Sequence, residues 1–395
     1  MTQEKNKLYP LNPDKTLVIK SKHIFLEDGQ FHAGLLFIQN GKTEKICVEK
    51  QFNSSESFFS KQCEILDATD DYVIPGLIDS HFHGCNGADF SDASLPGLHT
   101  IAAYALQNGV TTICPATMTL PFSKIEECLI TAQQFTPSDN EAGLAGIYLE
   151  GPFFCAEKKG AQNALHLQNP DLSLIQNIPL HLQGLIRVIA LAPELPGAYS
   201  FIEKMTQKFP IQISLGHTAA TADKINAAFA AGARRITHLY NAMTHPEAML
   251  LAASRYPNAY AELICDGIHN SPERIIHAFE TLGDDKIVLI SDSMRATGLG
   301  DGSYDLGMQN VTVSGKLALL SDGTKAGSVS TLLQCLQTAV SIGIPLSSAV
   351  KAVTCNPAKS LGLQNHAGFL KKNLPADITV LDSSLNLRYT IKGMV

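Results

Sequence analysis

Val73-Ile74-Pro75-Gly76-Leu77-Ile78-Asp79-Ser80-His81-Phe82-His83-Gly84 decides the fold. Its apolar, β-branched start reads as a strand buried on both faces. In a doubly wound sheet, the runner-up architecture, the first strand leads into a glycine-rich phosphate loop. Here the strand ends in two histidines one residue apart. Working outward, runs of the same character recur at 110–115, 145–150, 186–192, 211–216, 235–238, 260–265 and 286–292, the first being 73–79. Helical spacing lies between them, for example at 95–107, 123–134, 198–208, 220–231 and 271–282. Gly109, Gly143, Gly232 and Gly283 precede strands, and Ser271-Pro272 reads as an N-cap followed by an N1 proline. Eight near-continuous apolar strands alternating with helices predict a (β/α)8 TIM-like barrel.

The chain ends read differently. Short strands and turns occupy 16–70, with Asn40-Gly41 as a hairpin turn, and recur at 375–395. They predict a small β-sandwich domain from both termini, residues 1–71 and 371–395. The barrel domain then spans 72–370, with a β-hairpin insertion near 302–325. Gly298-Leu299-Gly300-Asp301-Gly302 precedes that insertion; it reads as a turn more readily than as a phosphate cradle, since no helix N-terminus follows.

The chain has 395 residues, with 30 basic against 37 acidic side chains, a net charge of −7. That balance argues against a nucleic-acid binder or an anionic-membrane binder. No run approaches the length of a membrane span, and residues 1–20 lack a signal-peptide core, so the expected location is cytoplasmic. The nine cysteines form no C-x-x-C pair and read as small buried hydrophobes. That leaves the 13 histidines as metal-site material.

Barrel active sites form at the C-terminal strand ends. His81 and His83 follow the first strand, Glu150 ends the third, His217 follows the fifth and His238 ends the sixth. Asp266 and His269 follow the seventh, and Asp292 ends the eighth. Taken singly each has a bland reading: Glu150 and Asp292 as turn residues, His269 as a helix entry. Together they converge on one mouth. Neutral imidazoles with a carboxylate suit Zn²⁺ or Fe²⁺. His81 and His83, two apart, project to one side and can share an ion. Such an ion lowers the pKa of bound water to about 7, and Asp292 is placed to take that water's proton. Lys158-Lys159 read as a solvated loop pair.

These residues carry a resemblance. Residues 75–84 are similar to the strand-one signature of the amidohydrolase superfamily. Leu149-Glu150-Gly151-Pro152-Phe153, Gly216-His217-Thr218, Thr237-His238-Leu239-Tyr240-Asn241-Ala242-Met243, Asp266-Gly267-Ile268-His269, Ser291-Asp292-Ser293 and Ala326-Gly327-Ser328 resemble the N-acetylglucosamine-6-phosphate deacetylase family over nearly the whole chain. The resemblance implies a primary metal site of Glu150, His217 and His238. A second ion would lie on His81 and His83, with Glu150 in the bridging place. It implies Asp292 as general base and then acid, and His269 on the acetamide carbonyl or the sugar. Ala161, Gln162, Asn241 and Ala242 would bind the substrate, Asn241 and Ala242 at its phosphate, and Ala326 and Gly327 would line the acetyl pocket. The reaction would turn an N-acetyl amino sugar phosphate into acetate and the free amine in a homodimeric enzyme.

Two departures stand out. Gln162 occupies a place where the family usually has histidine. The family's Arg-Glu-Pro-Gly stretch after Asn-Ala-Met is shortened to Met243-Thr244-His245-Pro246-Glu247, without its phosphate-binding arginine. Arg255 and Arg295 are the candidate replacements. Alternative readings are a deacetylase with altered or no phosphate recognition, a nucleobase-type deaminase, and a non-catalytic ligand-binding barrel.

Overall fold

The computed structural model describes residues 7–48 and 63–393. The fold is mixed α/β. One parallel sheet runs Ala116–Thr117, Ile147–Phe153, Ile186–Leu191, Gln212–Leu215, Arg235–Ile236, Tyr260–Ile264 and Ile287–Ile290, so consecutive strands are neighbours. A smaller parallel sheet joins Leu77–Asp79, Val110–Ile113 and Gly143–Leu144. Backbone bonds connect the two: Asp292 N–H donates to His81 O at 3.1 Å, and Ala116 N–H to Phe82 O at 2.7 Å. The strands are largely apolar and buried because helices cover their outer faces. In Pro272–Leu282, Ile275, Ala278, Phe279 and Leu282 are buried, the i, i+3, i+4, i+7 stripe of a helix lying on a sheet. Ser271 stands at its N-cap position with proline first, as the sequence predicts, and Gly283 with φ of 79° ends it.

The run expected as one strand at 73–79 divides. Tyr72–Pro75 pairs with Thr16–Phe25 and Ile378–Leu381, whereas Leu77–Asp79 pairs with Val110–Ile113. Gly76 separates them; a Cβ there would collide with the Thr111 side chain. An unbroken apolar pattern hides such a change of partner, because both halves are buried.

Tyr72–Pro75 thus belongs to a seven-stranded mixed sheet drawn from both chain ends. Its order is Leu387–Ile391, Ile378–Leu381, Tyr72–Pro75, Thr16–Phe25, Phe31–Gln39, Lys42–Val48, with Cys63–Asp67 also on Thr16–Phe25. Asn40 and Gly41, both at positive φ, make the expected hairpin turn. Alternation puts Leu17, Ile19 and Leu36 in one cluster and Val18 and Leu35 in another. Residues 1–6, 49–62 and 394–395 of the expected terminal domain lie outside the described residues. The insertion is a three-stranded antiparallel sheet, Gly302–Leu306, Gln309–Ser314 and Leu317–Leu320. A helix not read from the sequence, Pro246–Ser254, starts after His245. Among the described residues no helix is long and apolar enough to cross a membrane.

Candidate active site

Short strand ends deliver the polar side chains. His81 and His83 follow Leu77–Asp79, His217 follows Gln212–Leu215, His238 follows Arg235–Ile236, and Asp292 follows Ile287–Ile290. Glu150 sits within Ile147–Phe153, which runs three residues beyond the expected end. His217, His238 and Asp292 have φ of 47°, 27° and 47°. Left-handed backbone costs a non-glycine residue on the order of 1–3 kcal/mol, and such strain clusters where side chains must be aimed.

The side chains form two trios: His81, His83 and Asp292, and Glu150, His217 and His238. Glu150 lies between them. Its Oε1 is 3.1 Å from His217 Nε2, 3.0 Å from His238 Nε2 and 3.5 Å from His81 Nε2. Its Oε2 is 3.1 Å from His83 Nε2, which is 3.5 Å from Asp292 Oδ1. All six residues are buried. The donor set fits divalent cations. His217 Nε2 and His238 Nε2 face each other at 3.1 Å, and His217 Nδ1 is occupied by the Lys158 carbonyl at 3.0 Å. His81 Nε2 is buried without a hydrogen-bond partner. A cation placed among these lone pairs relieves their crowding, and no cysteine joins either trio.

Burial works against charge on Glu150, yet the surrounding His81, His217 and His238 hold its carboxyl well below the usual range. Asp292 is lowered despite burial by its contact with His83 and by the neighbouring histidines. Burial disfavours a charged His83, but Asp292 and Glu150 outweigh it and raise the imidazole to about 10. Burial keeps His217 below its ordinary value. A cation needs neutral imidazoles, so at His83 it competes with the proton that Asp292 and Glu150 favour.

The amidohydrolase family model matches residues 72–394. The chain belongs to the amidohydrolase family. It is 33% identical over 386 residues to the N-acetylglucosamine-6-phosphate deacetylase of Bacillus subtilis (strain 168), covering 95% of this chain and 96% of the relative. It is also 33% identical to an N-acetylgalactosamine-6-phosphate deacetylase of Escherichia coli O157:H7, over 80% of this chain and 85% of that one. Among solved structures it superposes, with a TM-score of 0.86 and 28% identity, on a mutant N-acetyl-D-glucosamine-6-phosphate deacetylase from Mycobacterium smegmatis in complex with N-acetyl-D-glucosamine-6-phosphate. That match covers 96% of this chain and 98% of the other.

This amidohydrolase, a metal-dependent hydrolase, opens above its two trios into a cavity of about 490 Å³. Ala161, Gln162, Asn241, Ala242, His269 and Gly327 line it. Ala326 does not; it is fully buried, and its N–H donates to Ala318 O. Gln162, standing in the expected histidine's place, gives its Nε2 to Glu150 Oε2 at 2.6 Å and takes the Thr119 N–H at 2.7 Å. His269 Nδ1 is held by Asp266 Oδ2 at 2.7 Å. Neither candidate arginine reaches the cavity. Arg295 pairs with Asp92 and Asp305 at 2.9 and 3.1 Å, and Arg255 bonds Asn226. Among the described residues the basic walls are instead Lys158, Lys159 and Lys325. The expectation that Lys158-Lys159 is a solvated pair is thereby corrected: both are half-buried at the site. The position of Lys158 and Lys159 beside Gly160-Ala161 is the sequence signal that could have found them.

Proposed function

We propose that this amidohydrolase removes the acetyl group of N-acetylglucosamine-6-phosphate, giving glucosamine-6-phosphate and acetate. The observation that carries the reading is the contact of Glu150, a member of one trio, with His81 and His83 of the other, which also holds Asp292. Bound ions, one or two and most consistent with Zn²⁺ or Fe²⁺, would be held by Glu150, His217 and His238 and by His81, His83 and Asp292. They would supply a water of lowered pKa and polarise the amide carbonyl.

The remaining steps belong to the chain. Asp292, held ionised, takes the proton of the attacking water and returns it to the leaving amine. His269, fixed through Nδ1 by Asp266, presents its other nitrogen to the acetamide or sugar. Asn241 and Ala242 meet the phosphate, with Lys158, Lys159 and Lys325 supplying positive charge where arginine is missing. Among the described residues Lys159 and Lys325 form no ion pair; their ammonium groups rest on the carbonyls of Gly160 and Ile268 at 3.2 and 2.7 Å. Gly327 faces the acetyl group. We further read the two parallel sheets as one closed eight-stranded barrel that begins at Leu77, with a terminal β-sandwich that takes in Tyr72–Pro75. A cytoplasmic homodimer acting on small molecules, with no nucleic acid and no membrane, completes the proposal.

The absence of arginine from the cavity lining supports a second reading, a deacetylase of N-acetyl sugars with altered or no phosphate recognition. Comparing kcat/KM for N-acetylglucosamine, its 6-phosphate and the galactosamine 6-phosphate tests both. A strong preference for the glucosamine 6-phosphate is expected. No preference for phosphate sinks the first reading and supports the second.

A further inference from the structure

Below the trios lies a buried charge pair that none of the catalytic roles uses. Glu262 points inward from Tyr260–Ile264, and Arg235 from the neighbouring Arg235–Ile236; both side chains are fully buried. Arg235 Nε donates to Glu262 Oε1 at 2.5 Å. The same guanidinium gives Nη2 to Ser80 Oγ at 2.6 Å and Nη1 to Ser360 Oγ. The other carboxylate oxygen, Oε2, accepts from His81 Nδ1 at 2.7 Å and from the His238 backbone N–H at 3.1 Å. Tyr148 stacks on the His81 ring at 4.2 Å, closing the other direction of movement.

With Oε1 on Arg235 and Oε2 on His81 and the His238 backbone, Glu262 joins neither trio. Its effect on His81 is directional. A carboxylate on Nδ1 keeps the proton there and turns the Nε2 lone pair toward Glu150 and Asp292. The same oxygen bonds the backbone of His238, whose φ is 27°. One atom thus holds a member of each trio.

We propose that Glu262, locked by Arg235, is a positioning residue that fixes the ligating tautomer of His81 and ties the two metal positions together. The inference rests on the metal-binding reading above. The alternative is a core ion pair that contributes only stability.

Zinc titration of the chelator-stripped full chain against a competing chromophoric chelator separates these. The wild type should show two binding steps, and His83→Ala should remove the step belonging to the first trio. Glu262→Gln puts an amide where the carboxylate was and disfavours the Nδ1–H tautomer. It should weaken that same step about 10–100-fold, the usual range for loss of such a partner, and change the other step by a smaller factor. Unchanged steps, or a parallel loss at both, would overturn the proposal while leaving the metal reading intact. A wild type that takes up no zinc, or shows a single step, would overturn it as well; no uptake would also remove the metal reading. Since Glu262→Gln leaves Arg235 charged and unpaired in the core, a variant that fails to fold is replaced by Arg235→Met with Glu262→Gln. Removing both charges spares the fold, and the same selective loss is expected.

Discussion

The Gln162 side-chain amide bridges two groups: its Nε2 donates to Glu150 Oε2 at 2.6 Å while its Oε1 receives the Thr119 N–H. The carboxylate shared by both trios is thereby aimed from outside them. Gln162→Ala frees Glu150 and leaves a buried N–H without its acceptor. Metal affinity should fall about 10–100-fold, read by chelator competition, with a parallel fall in kcat/KM. Wild-type affinity in that variant would show that Glu150 is held without Gln162.

Asp292→Asn keeps shape and removes the proton acceptor. Its kcat should drop roughly 10²–10⁴-fold, with the ion on Glu150, His217 and His238 retained by elemental analysis and thermal stability near that of the wild type. Unchanged turnover would take Asp292 out of the acid–base role.

Lys159→Ala and Lys325→Ala each remove a positive charge from the cavity wall. Hydrogen bonds to charged groups are worth about 1.5–3 kcal/mol. KM for the phosphorylated sugar should therefore rise about tenfold or more in each, with kcat little changed. KM for the unphosphorylated sugar should stay constant, and equal effects on both sugars would exclude phosphate as the lysines' target.

Asp266 links stability to pH. Burial opposes its charge, but the hydrogen bond from His269 and the N–H groups of Ile268 and His269 bring its carboxyl down to about 2. An unfolded aspartate titrates near 3.9. The folded value is the lower one, so the stabilisation is complete above about pH 4 and is lost as pH falls through about 2. Asp266→Asn should therefore lower Tm at pH 6, and the gap to the wild type should close by about pH 2. A gap independent of pH would show that packing, not charge, is what the substitution removes.

The histidines of the two trios were legible because each stands where an apolar run stops. His81 and His83 also carry their own spacing, and Glu150, His217, His238 and Asp292 repeat the strand-end pattern. Glu262 and Arg235 stand inside strands, among apolar neighbours, where the pattern marks only core. The partner that explains Glu262 lies 181 residues away, at His81. Lys325 was invisible for a different reason: a loop lysine is ordinarily solvated, and only the packing of the insertion against Ala161 and Ile268 brings it to the cavity. Gly76 shows the same limit in the fold, since burial is continuous across a point where the strand's partners change.

That change of partners sets an order of assembly. Tyr72–Pro75, four residues before Ser80-His81, is flanked on one side by Ile378–Leu381. A ribosome delivers that flanking strand after all of the parallel strands. Chains fold from the N-terminus as they emerge, so Glu150, His217 and His238 can gather while the segment that leads into His81 still has an open edge. The strand that leads into the first histidine pair is thus the last of the site's supports to gain both of its neighbours.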